Sequence, residues 1–180
     1  MEILSIILSG IIVSMVYSSF AEWSLHKYIM HKPLKIGCWT FEYPFRAHAL
    51  THHAIFGHDR SYILDTHKGD EQGEHKNTIP MAWWNGPLLI ILATLPFIIT
   101  FGLIFSMWLF VASIALGITL YYGAYEYLHW CMHLPKDRWF EGTYIFGWIN
   151  NHHNLHHRHP RKNFNVVLPL ADLCLFTLVP

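Results

Sequence analysis

Apolar positions along this chain fall in blocks rather than in stripes. Ile3–Phe20 carries no charged residue, and neither does Gly86–Tyr125. The second block is long enough for two membrane crossings at about 20 residues each. It predicts a helical hairpin turning near Gly102–Ser106, with Pro96 kinking the first leg where neighbouring helices tolerate it. Residues 1–31 read as one long helix. Its apolar part makes a rod of about 27 Å at 1.5 Å per residue, and the helix then continues past the membrane to an end set by Pro33. The second leg of the hairpin, from about Trp108 to Met132, overshoots in the same way and stops at Pro135. The expected fold class is all-α: an integral-membrane helical protein of about three transmembrane helices, one plus a hairpin, with a histidine-rich cap. Residues 1–180 form a single domain.

Between the blocks lie shorter segments. Pro33–Pro44 reads as a loop or amphipathic surface segment, whose Trp39, Phe41 and Tyr43, with Phe45, Lys32 and Lys35 beside them, suit a lipid headgroup region. Phe45–Asp59 reads as helix ended by Gly57, and Arg60–Asn77 as a polar loop. Trp83-Trp84 and the aromatic stretch Trp139–Trp148 read as interfacial. A histidine-dense loop follows, Asn151–His159, ended by Pro160. Val166–Val179 is apolar, interrupted by Pro169, and too short to span a bilayer, so it reads as a re-entrant or capping piece.

Composition sharpens this picture. Hydrophobic residues make up 53% and charged residues 13%, far from an ordinary soluble domain, and a formal net charge of zero points away from nucleic acid. Every Lys and Arg falls in Lys27–Lys76 or Lys136–Lys162. Basic segments flanking membrane helices stay cytoplasmic, so the histidine-rich face is expected in the cytoplasm and the N-terminus outside. Met1-Glu2 offers no basic start for a cleaved signal, which makes Ile3–Phe20 a retained anchor. Cys38, Cys131 and Cys174 lack paired spacing and predict no disulfide. Cys131, between His129 and His133, reads as a buried inert thiol.

Fifteen histidines change the question from topology to chemistry. Ten stand in tight clusters: His26 and His31; His48, His52 and His53; His129 and His133; His153, His156 and His157. His48 and His52, four apart, share an α-helical face, as do His129 and His133. Ten nitrogens exceed the four to six that one ion takes, and suit two. Histidine-rich, cysteine-poor ligation with carboxylates nearby fits iron or zinc better than Cu(I). Glu22 and Glu126 each precede a histidine on one helix face, and with Asp172 they are expected to hold the far ring nitrogen of a ligand. His58 and His152 are further candidates for the metal, whereas His67 and His75 read as solvated loop residues.

The pattern His26-x4-His31, His48-x3-His52-His53, His129-x3-His133, His153-x2-His156-His157 resembles the fatty acid hydroxylase / sterol desaturase superfamily of integral-membrane di-iron enzymes. The likeness runs from Glu22 to the tail, where Asn163-Phe164, Pro169 and Asp172 also resemble that family. Its second cluster has three intervening residues where two are common. The resemblance implies two irons held by these histidines and a membrane lipid substrate, such as a fatty acyl chain or sterol, hydroxylated or desaturated with O2. Electrons would come from a separate ferredoxin- or cytochrome-type protein. A carotenoid ring hydroxylase is the nearest alternative, since His31-Lys32-Pro33 and the small size are similar to that branch. A non-catalytic membrane metal-binding or transport protein is the alternative of another class. Against it, Gly86–Tyr125 contains no His, Asp or Glu to line a path.

Overall fold

The computed structural model describes residues 2–56 and 74–179. Helix α1 runs Glu2–Leu25 and continues through a wide π turn, His26–Met30. Helix α3 runs Asn85–Phe97 and widens likewise over Ile98–Ile104, and α4 runs Trp108–His133. These three rods, Glu2–Met30, Asn85–Ile104 and Trp108–His133, are long and apolar enough to cross a membrane. Their outward side chains match that requirement: Ile3, Leu4, Leu8 and Ile12 on α1, Ile91 and Leu92 on α3, and Leu116 and Leu120 on α4 are all exposed. The hairpin between α3 and α4 turns where expected, with Ser106 at φ 55. The wide turn of α3 begins just after Pro96, whose missing N–H interrupts the regular ladder. Gly102 lets the turn close, because a Cβ there would lie 2.8 Å from the Trp108 ring.

After α1 the chain departs from the expected loop. Leu34–Ile36 (β1) and Trp39–Phe41 (β2) pair antiparallel, Leu34 opposite Phe41. Gly37 at φ 59 supplies the left-handed residue that so tight a turn needs. Helix α2 comprises Tyr43–Phe45, a π turn at Arg46–His52, and His53–Ile55. The predicted end at Gly57 lies outside the described residues.

The histidine-dense stretch, expected as a loop, belongs to helix α5, Tyr144–Arg158. Thr143 caps it by accepting from the Phe146 N–H. Phe146, Ile149, His152, His153, His156 and His157 are buried on it, a 3–4 spacing that lays one stripe against the bundle. Histidine counts as polar, and the stripe resembles a loop in sequence because its buried side is made of imidazole. The tail then folds back on α1 as a cap, which is one of the two forms expected for it. Ser19 Oγ donates to the Leu168 carbonyl (2.6 Å) and accepts from the Ala171 N–H (3.0 Å), and Trp23 Nε1 donates to Thr177 Oγ1 (2.8 Å). A one-turn helix, α6, Leu170–Cys174, lies in this cap.

α1 packs along α4 and α3 against α4. The α1–α4 crossing is built from small residues four apart on each helix, Gly10 and Ser14 against Ser113 and Gly117. A Cβ on Gly117 would fall 1.8 Å from Ser14 Oγ, and one on Gly10 would fall 2.7 Å from Ser113 Cβ. Such a seam of small residues lets two helix backbones approach closely. Gly117→Val should therefore force α1 off α4 and cost roughly 1–3 kcal/mol. Thermal unfolding in detergent checks this, and a variant melting with the wild type would contradict it.

Candidate metal centre

Ten histidines converge from α1, α2, α4 and α5 into two neighbouring groups. Group A is His26, His31, His48, His53 and His156; group B is His52, His129, His133, His153 and His157. Within each, the five ring nitrogens lie within 4.8 Å of one another. These ten are the residues singled out from sequence as tight clusters. The groups touch: the His53 and His157 rings stack with centroids 4.3 Å apart.

Backbone geometry decides which histidine joins which group. His26 and His31, and likewise His48 and His53, are five apart, which on a regular α-helix points them about 140° apart. Both pairs span π turns, closed by His31 N–H to the His26 carbonyl (3.1 Å) and by His53 N–H to the His48 carbonyl. An i→i+5 ladder brings i and i+5 to one side. In ordinary α-helix, His129–His133 and His153–His157 meet at i, i+4 and go to group B. The expected pairing of His48 with His52 is corrected by the same feature. The π turn sends His48 with His53 to group A and leaves His52 in group B. Each doublet, His52-His53 and His156-His157, thus gives one ring to each group.

The donor set fits a cation. In group A, Nε2 atoms face Nε2 atoms: His26 to His48 at 2.7 Å, His48 to His53 at 3.1 Å, His53 to His156 at 3.2 Å, and His156 to His31 at 3.1 Å. His26 Nδ1–H donates to the Phe164 carbonyl (2.5 Å) and His156 Nδ1–H to the Lys162 carbonyl (2.8 Å). Each of those neutral rings then turns a lone pair, not a proton, toward the group's centre. Group B has the same facing pattern, His133 to His129 at 3.2 Å, His153 to His133 at 3.0 Å and His157 to His153 at 3.0 Å. Both nitrogens of His52 are buried without a protein hydrogen-bond partner. Neutral nitrogens crowded this way, in a buried cluster without a thiolate, can hold a metal ion in each group.

The three carboxylates sit elsewhere than expected. Glu22 accepts from Tyr121 Oη (2.6 Å), Asn165 Nδ2 (3.0 Å) and the Val166 N–H (2.6 Å). Glu126 accepts from Tyr122 Oη (2.9 Å) and the Met81 N–H. Neither is bonded to an imidazole: the tail and the Met81 segment bring backbone N–H groups that need an acceptor, and these engage the carboxylates first. Asp172 does bond a histidine, His152 (3.1 Å), but that ring belongs to neither group. His152 is thereby corrected as a metal candidate, because its Nε2 faces a carboxylate rather than the shared centre. Cys131 is buried against Tyr125, Met132 and Phe146, outside both groups. His58 and His67 lie outside the described residues, and His75 lies in a short 3-10 turn, Glu74–Thr78. What sequence reasoning misses is the part played by the main-chain carbonyls of Lys162 and Phe164, for which the asparagines in an apolar tail are the available sign.

Burial holds the rings neutral. It lowers His31 to about 4. His53 falls to about 3 through burial first, then through repulsion from His31 and His133. His48, His52, His153, His156 and His157 are pushed well below the ordinary 6.5 by burial and then by neighbouring imidazoles. An unfolded chain takes up these protons near pH 6.5 while the folded one refuses them, so the unfolded state holds more protons in between. Metal-free stability is then full above about pH 6.5 and lost as pH falls toward 4, by about 1.4 kcal/mol per pH unit for each histidine involved. Bound metal is released in the same direction, since protons compete for the lone pairs. Unfolding midpoints of metal-free protein at pH 7.5 and 5.0 check this; equal midpoints would contradict it.

No known protein family, curated protein or solved structure matches the chain.

Proposed function

We propose that the chain is a membrane-bound di-iron oxygenase that hydroxylates or desaturates a lipid with O2. The observation that carries this reading is the pair of adjoining all-histidine groups, five ring nitrogens each, buried or half-buried, at the end of three rods of membrane length. When bound, the iron pair would supply oxidation of an unactivated C–H bond, chemistry that no side chain provides alone. The chain's own residues gather ten imidazoles, fix the tautomers of His26 and His156, and exclude water by burial. The apolar faces of α1, α3 and α4 suit a substrate that stays in the bilayer, with the histidine groups at its cytoplasmic edge. A fatty acyl chain or sterol fits that geometry, and a separate ferredoxin- or cytochrome-type protein would deliver the electrons.

The test is metal content and O2-dependent chemistry in one preparation. Protein purified without oxygen should hold about two irons per chain and convert a supplied lipid only when O2 and a reductant are present. Two bound ions with metal uptake into vesicles, and no oxygen consumption, would favour a transport protein instead.

A further inference from the structure

The tail turn that follows α5 holds two group A rings from behind. The Lys162 and Phe164 carbonyls receive the Nδ1–H groups of His156 and His26. Carbonyls two residues apart in an extended strand lie on the same side, yet too far apart and too parallel to converge on rings from different helices. Asn163, between them, sits at φ 54, a left-handed conformation that bends the chain and that Asn tolerates better than most residues.

Buried side chains keep this bend in place. Asn163 Oδ1 accepts from the Val179 N–H (2.7 Å), and its Nδ2 donates to the carbonyls of His152 (3.2 Å) and Val179 (3.0 Å). Asp172 is fully buried. Its Oδ1 accepts from the Phe164 N–H (2.9 Å) and Thr177 Oγ1 (2.6 Å), and its Oδ2 from the Asn165 N–H (2.7 Å) and His152 Nε2 (3.1 Å). Asn165 Oδ1 accepts from the Asp172 N–H in return (3.1 Å). One carboxylate therefore holds both peptides that flank Phe164, including the one whose carbonyl aims His26.

We propose that Asp172 is a positioning residue for group A, acting through the bent turn Lys162–Asn165 rather than by touching a ligand ring. Among the described residues, the ring contacts of the turn's carbonyls are to group A alone, so loosening it releases metal from group A and spares group B. This rests on the reading that both groups hold metal. It also assigns the conformation of Asn163, rather than its side chain alone, to the site.

The experiment measures metal content and release to a chelator in wild type, Asp172→Asn, Asn163→Gly and Asn163→Val, each reconstituted with Fe2+ under anaerobic conditions. Disturbing the shell behind a ligand typically costs about 10–100-fold in metal affinity. Asp172→Asn is expected to release one ion about 10–100-fold faster and the other at the wild-type rate. Asn163→Gly, which keeps the left-handed bend, should stay nearer wild type than Asn163→Val, which opposes it. In a His129→Ala/His133→Ala background, which weakens group B, Asp172→Asn should empty the protein; in a His26→Ala/His156→Ala background it should change little. Unaltered release from Asp172→Asn, or equal acceleration of both ions, overturns the proposal while leaving a two-ion wild type intact. A wild type that binds no ion overturns the functional reading and this proposal together. Should Asp172→Asn fail to fold, the Asn163→Gly and Asn163→Val pair decides alone, and equal release rates from the two overturn the proposal.

Discussion

On the proposed reading, His129→Ala/His133→Ala should leave one metal ion per chain where the wild type is expected to hold two, and abolish the expected O2-dependent activity. Both residues are fully or almost fully buried, and they are the two nitrogens that α4 gives to group B. Removing them leaves His52, His153 and His157, three donors where five converged. The matched variant His26→Ala/His156→Ala removes one α1 donor and the single α5 donor from group A. It leaves His31, His48 and His53, with the His129–His133 pair of group B untouched. Each variant is expected to retain about one iron by elemental analysis, with activity falling to background in both, because the reaction is assigned to the pair. Loss of both ions from each variant would mean that the ten nitrogens form one indivisible site. Retention of both ions would mean that these rings are not the ligands.

Much of this centre is legible in the amino-acid sequence. Three apolar rods and the ten ring residues that converge all follow from hydropathy and spacing. The partition of the rings is not legible there, and His48 shows why. Counting by α-helical period places it with His52, and only the π turn at Arg46–His52 reassigns it to His53. A π turn is one extra residue in a ladder, and no residue type announces it. His26 and His31 carry a hint, since a five-residue spacing makes no sense on an α-helical face. The helical character of residues 151–158 is hidden for another reason. An apolar stripe betrays a buried helix face, whereas here the buried face is imidazole. Glu22 and Glu126 mislead because their proximity to histidines along one helix is visible in sequence. The unsatisfied N–H groups that reach them from distant segments are not.

The corrected role of Glu22 yields the second large expected effect. Glu22→Ala should destabilise the metal-free protein by roughly 2–5 kcal/mol, because several buried donors lose their one acceptor together. Three donors converge on this carboxylate from two parts of the chain: Tyr121 of α4, and the Asn165 side chain and Val166 backbone of the tail. Tyr121 and Asn165 are buried with it, so water does not replace the lost acceptor, and an unmet buried donor costs about 1–3 kcal/mol. The carboxylate is also one of the clasps by which the tail is fixed to α1, beside Ser19 and Trp23. Glu22→Gln keeps one acceptor oxygen but turns a second donor toward Tyr121 and Asn165, so its loss should fall between wild type and alanine. Metal-free protein is the right material, because bound ions stabilise the native state by mass action and would mask the change. Unfolding midpoints in the order wild type, Gln, Ala are expected. An alanine variant as stable as wild type would mean that the tail is held to α1 by packing alone, with the hydrogen-bonded carboxylate contributing nothing to its attachment.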